Sequence, residues 1–379
     1  MLTTISLSAQ KMSPMRAYSL FYEQNYVKAK ECIDACVQDE KYGAKANTWL
    51  YKANIDYRLA GQEYSAKQKD TSYHIQYPNT PREAYLAFQK ALSINKNVEA
   101  SDMYSPAEAL PKLYPILFIQ GVNELIANNF EEANQILALS VESYEMQTPE
   151  YPLNGELYYY YAYSFEMLNN AKQAETYYQK AIDDGSENIN VFIRLIENYK
   201  NENRPQEVLA LIEKAKAKNP NNSLILIAEA DYYYWINDAA KGRELLKQIP
   251  SLPSPEAIVN VANLYIKDEN YEEAERLLKK AYQQNSNNYI VANNLGVCCD
   301  NIGNNQYLEA NKLDIAGKKE EARRMKESAE NYLNQAATYF EKAYALNPSD
   351  TKLILKLKEI YLRLQQNEKA AALEKNKNQ

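Results

Sequence analysis

The chain has 379 residues and a net charge of −7, and its 46% hydrophobic and 25% charged residues are ordinary for a soluble globular protein. An acidic balance speaks against nucleic acid as a partner, which asks for a basic face, and no apolar run is long enough for an integral membrane helix. Nine Gly and 14 Pro disfavour β-rich folds and Gly-rich phosphate loops, while 34 Tyr beside 7 Phe and 2 Trp is the one compositional oddity.

The chain opens "MLTTISLSAQK". Its small residues Ser6, Ser8 and Ala9 match the back half of a secretory signal, cut near Ala9–Gln10. Residues 1–10 are therefore expected to be a truncated signal and the protein periplasmic, with a cytoplasmic location as the alternative. Cys32 and Cys36 stand one helical turn apart and Cys298 and Cys299 are adjacent, which gives no comfortable disulfide geometry within a helix. With His74 the single histidine, the spacing offers no metal set, and the thiols are expected to be buried packers.

Further along, one small–aromatic–small phrase recurs: "AYLAFQKALSINKN" from 84, "AETYYQKAIDDGSEN" from 174 and "AATYFEKAYALNPSD" from 336. A small residue lies twelve positions before such a phrase in Gly121–Ala133, Ala162–Ala174 and Ala262–Ala274. Each unit predicts two amphipathic helices, called A and B here, joined by a tight polar turn. Their small residues let the pair approach and their large ones fill the seam. Unit starts fall at 10, 46, 114, 155, 189, 223, 255, 289 and 351, and those from 155 to 289 recur at intervals of 34, 34, 32 and 34.

Two units are stretched. Ala84 follows Ala53 by 31 positions, so the polar, proline-ended stretch 62–81 is expected to be an extended helix end plus a loop. Ala336 follows Gly296 by 40, and residues 304–331 are strongly helix-forming. Ala322, Met325, Ala329, Tyr332, Ala336, Tyr339 and Ala343 step by three and four, so both helices of this unit are expected to run on into a projecting hairpin turned at Gly317. The Pro-rich stretch 147–154 suggests a bend between N-terminal units (11–150) and C-terminal units (151–379).

This pattern resembles the tetratricopeptide repeat family and, within it, bacterial multi-repeat members. Trp49, Ala53, Ala84, Phe88 and Ala91 match in one unit; Phe192, Tyr199, Ile212, Ala215 and Pro220 match in another; Leu295, Gly296, Ala336, Phe340, Ala343 and Pro348 match in a third. The resemblance implies an all-α, right-handed superhelical solenoid of about nine helix–turn–helix units. It also implies a non-enzymatic scaffold that holds a partner peptide or protein in a concave groove. In the family that groove is lined by one A-helix stripe. Here the stripe carries Tyr159 and Tyr163, then Glu197 and Lys200, then Asp231, Tyr234 and Trp235, then Asn263 and Lys267. Some members grip a partner's C-terminal carboxylates with Lys and Asn, Asn, then Lys and Arg on three consecutive A helices. The corresponding positions are Val259 and Asn263, Asn294, then Lys352 and Lys356, with Lys356 where Arg is usual.

No nucleotide, nucleophile-elbow or metalloprotease motif is present, and one histidine leaves little for triad chemistry. No catalytic residue, metal or cofactor is expected. An alternative function is an exported accessory factor in envelope assembly or polysaccharide handling that uses the Tyr-rich surface, typified by "YYYYAYSF" at 158–165. Self-association through 304–331 is a further expectation.

Overall fold

The computed structural model describes residues 12–149, 152–249, 251–252 and 254–376, and the signal-like stretch 1–10 lies outside the described residues. Among the described residues are 20 α-helices, one short 3-10 turn and no β-strand. The chain divides into two compact units, residues 1–191 and 192–379.

Within the first unit the hairpins are Pro14–Tyr22 with Tyr26–Gln38, Ala46–Lys69 with Thr80–Ile94, Tyr114–Ile126 with Phe130–Glu145, and Glu156–Met167 with Ala171–Asp183. Helix Ile189–Asn201 crosses the boundary and is followed by Pro205–Lys218. The second unit continues with Ser223–Trp235 and Ala239–Gln248, Pro255–Lys267 and Tyr271–Gln284, Tyr289–Ile315 and Lys319–Leu346, then Thr351–Arg363 and Asn367–Asn376.

Apart from the loop that joins Ala46–Lys69 to Thr80–Ile94, the links between A and B helices share one backbone design. The residue after the last A-helix turn adopts the left-handed region: Asn128, Asn169, Asn203 and Asn237 have φ of 61, 58, 57 and 65°. Asparagine tolerates that region better than most side chains, which lets a glycine-poor chain build it repeatedly. The next N–H then reaches back five residues to a helix carbonyl, as in Asn129 to Glu124, Asn270 to Tyr265 and Lys318 to Leu313, each at 2.9 Å. That is the Schellman closure, and it satisfies carbonyls the helix end would orphan. The same residue begins the B helix. The Asn270 side chain accepts from the Glu273 N–H at 3.3 Å, and Asp238 accepts from Lys241 at 3.1 Å. Two residues thus end one helix and cap the next.

Packing follows the small–large grammar. Ala53, Ala84, Ala162, Ala174, Ala262, Ala274 and Ala336 are fully buried, as are Phe88, Tyr178 and Phe340. A Cβ added at Gly296 would stand 2.6 Å from the Phe340 ring, so the missing side chain is the space the phenyl group occupies. Burying such a ring contributes roughly 2–3 kcal/mol.

The two stretched hairpins differ in how they take up extra chain. Helix Ala46–Lys69 runs for 24 residues, and buried Glu63 ties the following loop down. Its carboxylate accepts from the Tyr73 hydroxyl at 3.1 Å and from the N–H groups of Gln76 (3.1 Å) and Tyr77 (2.7 Å). His74 is exposed in that loop. Helices Tyr289–Ile315 and Lys319–Leu346 have 27 and 28 residues and meet at a turn where Gly317 has φ 78°. Ala322, Ala329, Leu333, Ala336 and Ala343 form their buried seam, while Leu308 and Ile315 are exposed near the tip. Cys32, Cys36, Cys298 and Cys299 are free and buried.

Candidate docking faces and charge clusters

On the stripe expected to face a partner, three A helices of the second unit are joined by charge. Asp231, from Ser223–Trp235, accepts from Lys200 of the preceding A helix and, at 2.7 Å, from Lys267 of the following one. Burial alone disfavours the Asp231 carboxylate, but the two ammonium groups outweigh it and hold the acid below its ordinary range. Glu197 lies one turn before Lys200 and is exposed. Trp235 is half-buried, its ring 6.2 Å from that of Tyr232. Tyr234 is turned toward its own B helix, where a Cβ on Gly242 would meet its ring at 2.6 Å. This explains why glycine replaces the usual alanine there. Burial pushes the Tyr234 hydroxyl up to about 12.

The positions matched to a carboxylate grip fall into two groups. Asn294 donates to the Asn263 side-chain oxygen at 2.6 Å, so these amides bond each other across neighbouring A helices. Lys356 pairs with Asp300 at 2.7 Å, and Arg363 pairs with the same carboxylate at 2.7 Å. Asp300 is 1% exposed, so Lys356 serves to neutralise a buried acid. Lys352 is exposed, its N–H capped by Asp350.

In the first unit, Tyr159 corrects one expectation: it is buried, its ring 6.0 Å from Tyr178, and it fills the hairpin seam. Tyr163 is half-buried. Much of the tyrosine run is core, for Tyr158 and Tyr161 are buried and Tyr177 stacks on Phe165 with ring centroids 5.8 Å apart.

One cluster was not anticipated. Lys30, Asp34, Lys52, Asp56 and Glu83 come from three helices, Tyr26–Gln38, Ala46–Lys69 and Thr80–Ile94. Lys30 reaches Asp34 and Asp56, each at 3.1 Å, and also contacts Glu83. Lys52 reaches Asp56 at 2.8 Å and Glu83 at 3.1 Å, and also contacts Asp34. The Asp56 side chain is fully buried, and burial drives its acid up to about 6 despite both lysines. Burial works against Lys30 as well, but Asp56, Glu83 and Asp34 overcome it and hold its ammonium above the usual lysine range. Oxygen atoms of Asp34, Asp56 and Glu83 lie within 4.8 Å of one another, as cation ligands would. Two ammonium groups already occupy that role. The available sequence signal was the pair of i,i+4 spacings, Lys30–Asp34 and Lys52–Asp56, which on a lone helix read as solvated pairs.

No family model matches the chain. The BBSome complex member BBS4 homolog of Drosophila melanogaster is 26% identical over 175 residues, 45% of this chain, and the match spans 33% of that protein's length. Among solved structures, the Cut9–Hcn1 hetero-tetramer of the APC/C overlays 88% of this chain and 59% of that one at 13% identity and TM-score 0.49. A tetratricopeptide repeat protein from Parabacteroides merdae overlays 75% and 96% at 15% identity and TM-score 0.40. IFIT1, solved with Gppp-AAAA, overlays 85% and 68% at 15% identity and TM-score 0.46. Small residues twelve apart and buried, a near-34-residue recurrence and Schellman-closed helical hairpins make this chain, in fold, a tetratricopeptide-like repeat protein.

Proposed function

We propose that the chain is a non-enzymatic interaction scaffold whose A-helix stripe in residues 192–379 docks an extended segment of a partner protein. The observation that carries this reading is the bridging of Asp231 by Lys200 and Lys267, which links three consecutive A helices into one polar ledge beside half-buried Trp235. A partner's backbone finds donors and acceptors fixed in advance there, so little side-chain ordering is lost on binding. An amphipathic aromatic beside such groups supplies the anchoring area that dominates interfaces.

The test is selection of binding peptides from a random display library on the full chain. Binding of the selected peptides should weaken at least about tenfold in Trp235→Ala/Lys267→Ala. Asn263→Ala/Lys352→Ala, measured on peptides with a free and an amidated C-terminus, asks whether a terminal carboxylate is gripped. Equal affinity for wild type and the Trp235/Lys267 variant would overturn this ledge as the docking face.

A further inference from the structure

The first unit holds a cleft of about 590 Å³ between helix Ala46–Lys69 and the segment carrying Lys112 and Ile116. Arg58, Gln62, Ser65 and Lys69 line it at spacings of four, three and four, one face of the extended helix. Lys112 faces them from the other wall. Among the described residues, none of these three cations has a carboxylate at ion-pair distance. The nearby acids are engaged elsewhere. Glu63 holds the loop after the helix, and Glu108 accepts from the Ser105 N–H at 2.9 Å and hydroxyl at 2.8 Å.

A second observation points to a missing anion. Arg58 and Lys112 both sit over the Tyr104 ring, at 5.2 and 5.3 Å from its centroid. Two like charges are gathered at one aromatic ring, and neither has a carboxylate at ion-pair distance among the described residues. A ring quadrupole attracts each cation modestly but does not cancel their mutual repulsion. In a chain of net charge −7, a trio of cations with no contact ion pair is a local exception, Lys112 being offset only at longer range by Glu108.

We propose that this cleft docks an acidic, tyrosine-bearing peptide segment of a partner protein, an inference that rests on the scaffold reading above but uses a different surface. The layout favours a peptide over a compact anion. Arg58 and Lys69 are eleven residues apart on one helix, roughly 16 Å at about 1.5 Å per residue. That length matches about five residues of extended chain at roughly 3.3 Å each. A compact anion at the Tyr104 ring would meet Arg58 and Lys112 but leave Lys69, roughly 16 Å along the helix, without a partner. The Gln62 amide and Ser65 hydroxyl between them suit peptide backbone groups, and the Tyr57 ring on the same wall suits an aromatic side chain.

The experiment is fluorescence anisotropy at low and moderate salt with the full chain. The probes are a fluorescein-labelled hexapeptide of alternating glutamate and tyrosine, its glutamine–tyrosine counterpart, and a labelled hexauridylate. The acidic peptide should bind, weaken with salt, lose at least about tenfold in Arg58→Glu/Lys69→Glu, and lose a smaller factor in the milder Lys69→Gln. It should be indifferent to Trp235→Ala. Helical circular dichroism of each variant guards against misfolding. Equal binding of the glutamine peptide, no response to the cation variants, or tighter binding of the oligonucleotide would each overturn the proposal. If the acidic peptide fails while library peptides still depend on Trp235, this inference falls and the scaffold reading stands. Loss of the Trp235 dependence alone does the reverse.

Discussion

Asp56 and Asp231 are both aspartates in A helices, each reached by two lysines, yet they are opposites. Asp56 sits fully buried with two other carboxylates and two ammonium groups, and burial drives its acid up to about 6. Asp231 is a lone carboxylate between two lysines, partly open to water, and those lysines hold it below the ordinary range. Solvent access and the ratio of cations to carboxylates, not the presence of an ion pair, set the sign.

The largest test of this contrast removes a lysine from each cluster. Lys52→Met leaves three carboxylates facing one buried ammonium and should cost about 3 kcal/mol in urea denaturation. Lys267→Met should cost less than about 1 kcal/mol because its partner keeps Lys200 and water. Equal losses would break the comparison.

The pH dependence of the two aspartates comes next. The folded chain holds a proton on Asp56 more firmly than the unfolded chain does, so ionisation weakens the fold as pH rises from about 4 to about 6. Asp56→Asn should therefore grow more stable relative to wild type between about pH 4 and about pH 7. Asp231 runs the other way. Its depressed acid contributes stability above the ordinary aspartate range, and that contribution is lost as pH falls through the folded value. Asp231→Asn should cost up to about 1 kcal/mol at neutral pH and progressively less on acidification. Denaturation series at several pH values read both signs, and a common sign would refute the distinction.

The smallest expected effect serves as a control. Glu269 holds the left-handed link position with φ 57°. Glu269→Gly should raise stability by about 0.5 kcal/mol, since removing Cβ relieves a strain of roughly 1–2 kcal/mol while adding chain entropy to the unfolded state.

The fold was legible where it is written as spacing. Small residues twelve apart announce a seam that only closely packed helices need, and the seven-residue ladder from Ala322 to Ala343 announces the long hairpin. The Asn-rich turns were legible as turns, but their shared backbone closure was not, because αL geometry at Gln24, Glu269 or Gln365 leaves no compositional mark. Side-chain clusters were the least legible. Lys30 and Lys52 look like surface residues until three helices converge on them. Asn263 and Asn294 stand at grip positions, yet their alignment does not reveal that they bond each other. Lys356 is drawn to Asp300, which sits 56 positions upstream. Arg58, Gln62, Ser65 and Lys69 look like solvated polar chain, and only tertiary packing sets Lys112 opposite them.

The two-residue links have a consequence for how such a molecule changes length. Every junction closed in this way is self-contained, since its backbone bonds begin and end within the hairpin that owns it. Growth inside a hairpin therefore has two routes: whole turns added in register to both helices, as at 289–346, or a tethered excursion, as at 70–79. Modules spliced at these junctions need no redesigned joint, which makes the links the natural seams for recombining one array with another.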